Sequence, residues 1–418
     1  MKKAKIFYFT LQDEQTKEEK LEWFANTKFE NIPFGYITPD EKGNWINQTD
    51  NDFDELLPLL NKEVKAGKSQ AAIFQLFSSG VQTKRDEWVY DFSQDTLIEK
   101  IKYLVEVYEE RLKHQTKREL DIKWDGDLTR YLESKIHKFF EKSKIVKSLY
   151  RPYTKEYLYF DKHFNARTFQ LQNIFPYSNV KNSLVWIKAG SDVPFFCLIT
   201  NCIPDLLPQG GSQCLPLYRY DENGNRIDNI TDWGLTQFQT HYNDSSITKE
   251  DIFHYTYAVL HNPAYRKKYE LNLKREFPQL PFYNNFFQWV QWGKKLMHLH
   301  LNYETIKPYN LTRTDATTNK QPKAKLKADK EKGYIDLDGI TFLQGIPAIA
   351  WDYKLGNRSA LEWILDQYKE KKPKDPTIAK LFNTYRFADY KEHVIDLLQR
   401  VCTVSVKTMG IIGQMPDE

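Results

Sequence analysis

Hydrophobic positions in the first ninety residues fall in two blocks. Lys5-Ile6-Phe7-Tyr8-Phe9-Thr10-Leu11 is a short, nearly unbroken apolar run, the pattern of a strand buried on both faces. Ala71-Ala72-Ile73-Phe74-Gln75-Leu76-Phe77 predicts a second such strand. Between them, Thr16-Lys17-Glu18-Glu19 has capping-box spacing and opens a short helix through Phe24. One buried strand and one helix cannot enclose a core, so the chain is expected to begin inside a larger α/β domain. Ile6–Phe9 should then lie exposed or pair with another chain.

The period then changes. After Asp91 or Ser93, either of which can cap a helix, Leu97, Ile101, Leu104, Val105, Tyr108 and Leu112 recur on one helical face. A second helix is predicted from Asp127 to Glu141, turning Leu128, Tyr131, Leu132, Ile136 and Phe139 inward. Short strands follow, at Tyr157–Phe160, Leu184–Lys188 and Val193–Thr200, separated by breaks such as Leu207-Pro208-Gln209-Gly210-Gly211. Helical periodicity returns at Thr248–Leu260 and Tyr283–Leu301. The polar, lysine-rich stretch 310–332 predicts a mobile loop or linker. Strands near Tyr334–Leu343 precede two helices, opened by Ser359-Ala360-Leu361-Glu362 and by Asp389-Tyr390-Lys391-Glu392. The class is mixed α+β: an incomplete α/β unit over 1–90, then helical (91–142), β-rich (145–220) and helical (248–301) parts, the basic loop 310–332, and an α+β part (333–418).

At 418 residues the chain can bury substantial cores, and its 41% hydrophobic and 28% charged content is that of a soluble globular protein. Aromatic residues reach 15%, a surplus of side chains suited to surfaces partly apolar and partly wet. The net charge of +4 does not by itself demand a nucleic-acid partner, so the position of charge must decide. The apolar run at the N-terminus is too short for a signal peptide, and no stretch approaches a membrane span; a cytoplasmic protein is expected, with no membrane partner. Cys197, Cys202, Cys214 and Cys402 lack the paired spacing of a zinc site and read as buried free thiols.

Four fragments imitate catalytic motifs. Gly67-Lys68-Ser69 resembles the end of a phosphate-binding loop, but Lys62 stands where that loop needs its first glycine. Asn262-Pro263-Ala264-Tyr265 resembles the base-holding motif of amino-methyltransferases, without a glycine-rich cofactor loop upstream. Pro39-Asp40 with Glu63-Val64-Lys65 mimics a metal-dependent nuclease site, yet both carboxylates fall in solvated turns. His298-Leu299-His300 lies in a helical segment, where residues two apart face different ways, and both histidines are expected at the surface. No catalytic, cofactor-binding or metal residue is assigned.

Charge and aromatic residues do concentrate between Lys135 and Arg167. Lys135, Lys138, Lys142, Lys144, Lys147, Arg151, Lys155, Lys162 and Arg167 alternate with Phe139, Phe140, Tyr150, Tyr153, Tyr157, Tyr159, Phe160 and Phe164. Basic groups neutralise phosphates and release counterions, and arginine can grip guanine with two hydrogen bonds. The same composition also suits a solvated helix followed by core strands.

Several segments resemble one family. Phe77-Ser78-Ser79-Gly80-Val81-Gln82-Thr83-Lys84-Arg85-Asp86-Glu87-Trp88-Val89-Tyr90 is similar to the join between methyltransferase and specificity regions of Type ISP restriction–modification enzymes. Leu149-Tyr150-Arg151-Pro152-Tyr153 with Tyr157-Leu158-Tyr159-Phe160-Asp161 resembles the start of their target-recognition region. Tyr257-Ala258-Val259-Leu260-His261-Asn262-Pro263-Ala264-Tyr265-Arg266 and Leu355-Gly356-Asn357-Arg358-Ser359-Ala360-Leu361-Glu362-Trp363 resemble later parts of it. These enzymes carry nuclease, ATP-driven translocase, methyltransferase and target-recognition regions in that order.

The resemblance implies that residues 1–90 are the tail of a methyltransferase-like domain and 91–418 the target-recognition domain. It implies double-stranded DNA as partner, with methyltransferase, translocase and nuclease domains on a longer polypeptide or separate subunit. S-adenosylmethionine, ATP and Mg²⁺ would belong to those other domains, and this chain would do no chemistry itself. Arg151, Lys155, Arg167, Lys144, Lys147 and Tyr153 are the expected DNA contacts, with Lys84 and Arg85 at the join; Arg358 is expected to brace its helix. The competing readings are a divergent or partial S-adenosylmethionine-dependent methyltransferase, and an RNA-binding or scaffold module.

Overall fold

The computed structural model describes residues 4–12, 15–39, 43, 45–46, 48–49, 51–114, 118–177, 179–188, 190, 193–207, 211–317 and 321–417. The first elements are β1 (Ile6–Tyr8), α1 (Lys17–Asn26) and β2 (Gly35–Ile37). The Thr16 capping box forms as the spacing predicts, Thr16 and Glu19 each accepting from the other's backbone amide. β1 pairs antiparallel with β2, and α1 buries no residue. Phe7, Phe24 and Tyr36 remain 59%, 56% and 62% exposed. The run Lys5–Leu11 is therefore not a strand buried on both faces. It is half of an open two-stranded ribbon whose apolar side chains stay largely exposed.

From Phe53 onward the chain enters the cores, so no break in packing marks residue 90. Phe53, Leu59, Leu60, Ile73, Phe74 and Phe77 are all buried. Residues 71–77 are enclosed as expected but do not form a strand. Their amides pair with scattered partners, Ile73 N with Pro58 O and Gln75 N with Asn229 O, and only Phe74 makes a bridge, to Ile230.

Next come β3 (Ser78–Ser79), α2 (Asp86–Val89), β4 (Tyr90–Asp91), α3 (Gln94–His114) and α4 (Gly126–Glu133). Ser93 caps α3 by accepting from Thr96 N, and Leu97, Ile101, Leu104 and Tyr108 are buried along it. α4 stops at Glu133 instead of Glu141. Lys135 takes a left-handed φ of +54°, with Lys135 N bonded to Leu132 O and Ile136 N to Tyr131 O. This Schellman closure ends the helix without a glycine, and Phe139 is left 71% exposed rather than inward.

Two four-stranded sheets follow from β5 (Ile145–Arg151), β6 (Thr154–Tyr159), β7 (Leu184–Lys188), β8 (Phe196–Thr200), β9 (Ile203–Pro204) and β10 (Gln213–Pro216). One has the order β9-β5-β6-β4, with β5 and β6 antiparallel and β9 parallel to β5. The other has the order β3-β10-β7-β8, and every residue of β7 and β8 is buried. Its side chains alternate between two cores. Leu184, Trp186, Phe196, Leu198 and Cys214 enter the first; Val185, Ile187, Cys197, Ile199 and Leu215 enter the second.

Helices α5 (Lys249–Val259), α6 (Pro263–Lys268) and α7 (Phe286–Leu301) build the second core. The stretch 310–332 is not simply a linker. Its described residues supply β11 (Thr312–Asp315) and β12 (Lys327–Asp329), which join β13 (Tyr334–Asp336) and β14 (Thr341–Gln344) in the order β11-β14-β13-β12. β11 is exposed throughout, so it is polar despite its pairing.

The chain ends with the tight hairpin β15 (Lys354–Leu355) and β16 (Arg358–Ser359), then α8 (Ala360–Gln367), α9 (Pro376–Leu381) and α10 (Phe387–Ile412). The Ser359–Glu362 capping box forms. Asp389 does not cap α10, which starts earlier because the Glu370 carboxylate accepts from Phe387 N at 2.9 Å.

Gly293 permits α7 to lie against α5: a Cβ there would sit 1.9 Å from the His254 carbonyl oxygen. Gly293→Ala should lower stability by about 3 kcal/mol through overpacking. Gly410→Ala in α10, where a Cβ would meet nothing within 4 Å, should raise it by up to about 1 kcal/mol because alanine is the better helix former; thermal unfolding of the two variants checks the contrast.

Candidate functional site

Three of the expected contact residues prove to be internal braces. Arg151 closes β5, where its guanidinium is buried, stacks on the Tyr150 ring at 3.8 Å, and donates to Asp205 at 2.7 Å and to Tyr150 O at 2.6 Å. Arg85 is buried against Asp125, which in turn caps α4. Tyr153 occupies the β5–β6 turn at φ +57°, fully buried, its hydroxyl 3.0 Å from that of Tyr353. Burial and internal pairing make these three braces of the fold, although Arg85 and Arg151 also line hollows of the cleft.

The other candidates do not gather into one groove. Lys144 binds Asp161 at 2.6 Å and Glu141 at 2.5 Å, which stabilises its charged form. Lys147 is exposed, lying over the Tyr157 ring at 3.4 Å. Lys155, on the same face of the hairpin by register, binds Glu304 at 2.6 Å. Arg167 is exposed and bridges Gln82 through its backbone, close to Lys84. Lys84 is half exposed at φ +58°, with Asp127 3.8 Å away. Residue spacing could not show that the hairpin turns its arginine inward.

A continuous cleft forms elsewhere, from three adjoining hollows. The first, about 780 Å³, is lined by Lys84, Lys123, Trp124 and Lys374. The second, about 270 Å³, meets it at Asp86 and Glu87 and is floored by Tyr90, Tyr150 and Glu156. The third, about 280 Å³, shares Tyr150, Gln367 and Lys371 with the second and reaches Lys188 and Arg358. Segments 77–90, 149–161 and 355–363 thus all reach this cleft. The segment 257–266 instead lies in the second core, with Tyr257, Ala258, Val259, Leu260 and Tyr265 buried.

One rim is the loop from Lys369 to Asp375, whose Lys371, Lys372 and Lys374 are exposed and make no side-chain ion pair among the described residues. The loop is tethered to α2. The Glu87 carboxylate accepts from Lys374 N and Asp375 N, both at 2.9 Å, and Trp88 Nε1 donates to Asp375 at 2.8 Å. Asp375 then caps α9 through Thr377 N and Ile378 N. The cationic rim is therefore held in place before any partner arrives. Lys369-Glu370-Lys371-Lys372-Pro373-Lys374 was visible as a charge cluster, but its partners α2 and β4 lie far off in sequence.

The floor carries an unusual carboxyl. Glu156 is buried, and loss of hydration together with the charge of Asp91 pushes its pKa up to about 8. Nearby Lys100 is already occupied by Asp91 at 2.8 Å and by the carbonyls of Glu87 and Tyr90. Asp205 is likewise raised by burial, to about 6, against the opposing pull of Arg151.

The motif imitations have structural uses. Asn262 caps α6 by accepting from Tyr265 N at 2.7 Å, with Pro263 at the first helical position, and Tyr265 is buried. Glu63 sits in a short exposed helical turn capped by Asn61, as does the approach to Gly67; Asp40 lies outside the described residues. His300 is not at the surface. It is buried between Tyr257 Oη at 2.6 Å and Thr408 Oγ1 at 2.9 Å, and burial drives its pKa down to about 3, whereas His298 is exposed. Cys197, Cys214 and Cys402 are buried free thiols and Cys202 is half-buried. No group of three or more metal-ligating side chains occurs among the described residues.

Comparison with known proteins gives a consistent picture. The model of the Type ISP C-terminal specificity domain matches residues 72–397. A search of curated proteins finds no match. A DrdV–DNA complex solved by cryo-electron microscopy is 47% identical, with a TM-score of 0.86 over 99% of this chain and 43% of that one. A nuclease-deletion mutant of the Type ISP restriction–modification enzyme LlaGI, in complex with a DNA substrate mimic, is 28% identical, with a TM-score of 0.77 over 99% and 39%. The ATP-dependent Type ISP enzyme LlaBIII bound to DNA is 28% identical, with a TM-score of 0.78 over 92% and 25%. This chain therefore spans less than half the length of each of these enzymes.

The carboxyl on the cleft floor should control a pH dependence. Between its unfolded value of 4.5 and about 8, Glu156 is protonated in the fold and ionised in the unfolded chain. Stability therefore falls as pH rises through that window and levels off above it. Glu156→Gln should remove this slope, unfolding at a higher temperature than the parent at pH 9 and at the same temperature at pH 4.5. Arg151→Met, which strands Asp205, should cost about 3–5 kcal/mol in denaturant unfolding near pH 7.

Proposed function

Because the chain belongs to the Type ISP C-terminal specificity domain family, we propose that it selects a double-stranded DNA sequence on behalf of a larger restriction–modification enzyme. The observation that carries this reading is the continuous cleft whose loose lysines sit on a tethered loop. Backbone phosphates need cations that are not already neutralised, and Lys371, Lys372 and Lys374 meet that need better than the paired Lys144 and Lys155. Lys84, Lys147 and Arg167 remain candidates for peripheral phosphate contact. Phosphate contacts fix orientation; base edges reached from the cleft wall would choose the sequence.

Catalysis is assigned to other parts of such an enzyme. The one fragment of this chain resembling a base-holding motif is spent on starting α6, with Asn262 also donating to Pro416 O. S-adenosylmethionine, ATP and Mg²⁺ would be held by the methyltransferase, translocase and nuclease domains. The ribbon β1–β2 with α1 is read as the end of the methyltransferase-like domain, its exposed aromatic residues covered by the remainder of that sheet. A cytoplasmic location fits work on intracellular DNA. No helix among the described residues is long and apolar enough to cross a membrane.

Selection from a random duplex pool should yield one preferred sequence, and binding should weaken steeply with salt. Replacing Lys372 and Lys374 together by Gln should weaken binding to every sequence and flatten the salt slope by about 2, leaving the preferred sequence unchanged. Equal affinity for RNA and duplex DNA at two salt concentrations would overturn the reading.

A further inference from the structure

The innermost hollow holds more positive charge than its own chain neutralises. It is enclosed by the end of β5, by β7 and β8, and by the Gly356–Asn357 turn between β15 and β16. Lys188 is 1% exposed there, and among the described residues its ammonium makes one hydrogen bond, to Gly211 O at 2.8 Å. An ammonium has three donors to satisfy, and no carboxylate pairs with this one among the described residues. Burial accordingly lowers its pKa to about 8.

Arg358 stands at the mouth of the same cavity and does more than brace α8. Its guanidinium lies over the Trp363 ring at 5.1 Å, and that ring is fixed by a hydrogen bond from Nε1 to Leu355 O at 2.9 Å. Asp366, its carboxylate partner, is a loose 3.8 Å away. Asp366 is also the one acidic side chain in the lining among the described residues, against Lys188, Arg358, Arg151 and Lys371. Asp205 neutralises Arg151, which leaves the other cations in excess.

The remaining wall is apolar, from Phe196, Leu207 and Leu355. Excess cations beside an apolar wall suit an anion with a flat, hydrophobic body. A nucleotide stacked in a duplex cannot enter a half-open hollow of about 280 Å³, but one turned out of the stack can.

We propose that this cavity receives a single unpaired nucleotide of the bound DNA, its phosphate between Lys188 and Arg358 and its base against Phe196 and Leu207. The proposal rests on the DNA reading and adds a second mode of contact to it: rim lysines hold any duplex, while the cavity rewards one that gives up a nucleotide.

The test compares an intact duplex with the same duplex carrying one unpaired nucleotide, using the full chain. The wild-type chain should bind the second about tenfold more tightly, since the cost of unstacking is already met. Arg358→Gln and Lys188→Met should each reduce that preference to about twofold or less, with a smaller loss of affinity for the intact duplex. The Lys372 and Lys374 double variant should weaken both probes equally. Should Lys188→Met fail to fold, Arg358→Gln, at a partly exposed side chain, decides the matter alone.

Equal affinity of the wild-type chain for both duplexes, or a preference that survives Arg358→Gln, overturns the proposal. So does tight binding of free deoxynucleoside monophosphate with no discrimination between duplexes, which would mark a small-molecule site. Failure to bind either duplex would remove the DNA reading itself, a result distinguishable from the others.

Discussion

The architecture depends on one sheet being buried on both of its faces. The strands β7, β8 and β10 send alternate side chains into two different cores, so neither core can be assembled without the other. Burying both faces removes the polar half of the usual strand pattern, and Leu184–Lys188 and Phe196–Thr200 accordingly contain almost nothing hydrophilic. Where the cores meet, several polar groups are matched: Tyr257 Oη accepts from Ile199 N at 3.0 Å and contacts His300, while Tyr153 and Tyr353 join hydroxyls. Neutral His300 fits this setting because an imidazolium would have no counter-ion there.

Upon that scaffold, buried charge is used to position the cleft. Arg151 links the β5–β6 turn to Asp205 after β9, and Asp86 receives the Tyr150 hydroxyl at 3.0 Å. Gly80 lies so close to the Asp205 carbonyl that a Cβ would stand 2.2 Å from it, so the join segment threads directly past this hub. Three distant stretches of chain are held at one place by groups that give up their hydration to do it. The cations left incompletely paired among the described residues lie elsewhere, at Lys371, Lys372, Lys374, Lys188 and Arg358.

A contrast between bracing and presenting charge therefore runs through the molecule. Arginine, with its planar fork, is placed where two acceptors converge at Arg151. Several lysines, Lys371, Lys372 and Lys374 among them, lie on exposed rims, where a flexible point charge can follow a phosphate backbone. Arg358 departs from this division: stacked on Trp363 and loosely paired, it is oriented but not consumed.

Local patterns alone determined much of the fold. Capping boxes at Thr16 and Ser359, the apolar face of α3 and the run at Leu184–Lys188 are short-range signals that appear where expected, and the run at Val193–Thr200 forms its strand from Phe196 onward. The family, too, was legible, since segments 77–90, 149–161 and 355–363 carry its resemblance. The early end of α4 turns on a left-handed Lys135, a conformation that residue type does not announce. Whether Lys155 would meet solvent or Glu304, and whether Arg151 would face a partner or Asp205, depended on residues 149 and 54 positions away. A side chain's charge is written in the sequence; its availability is set by what the fold brings beside it, and only the tertiary structure decides that.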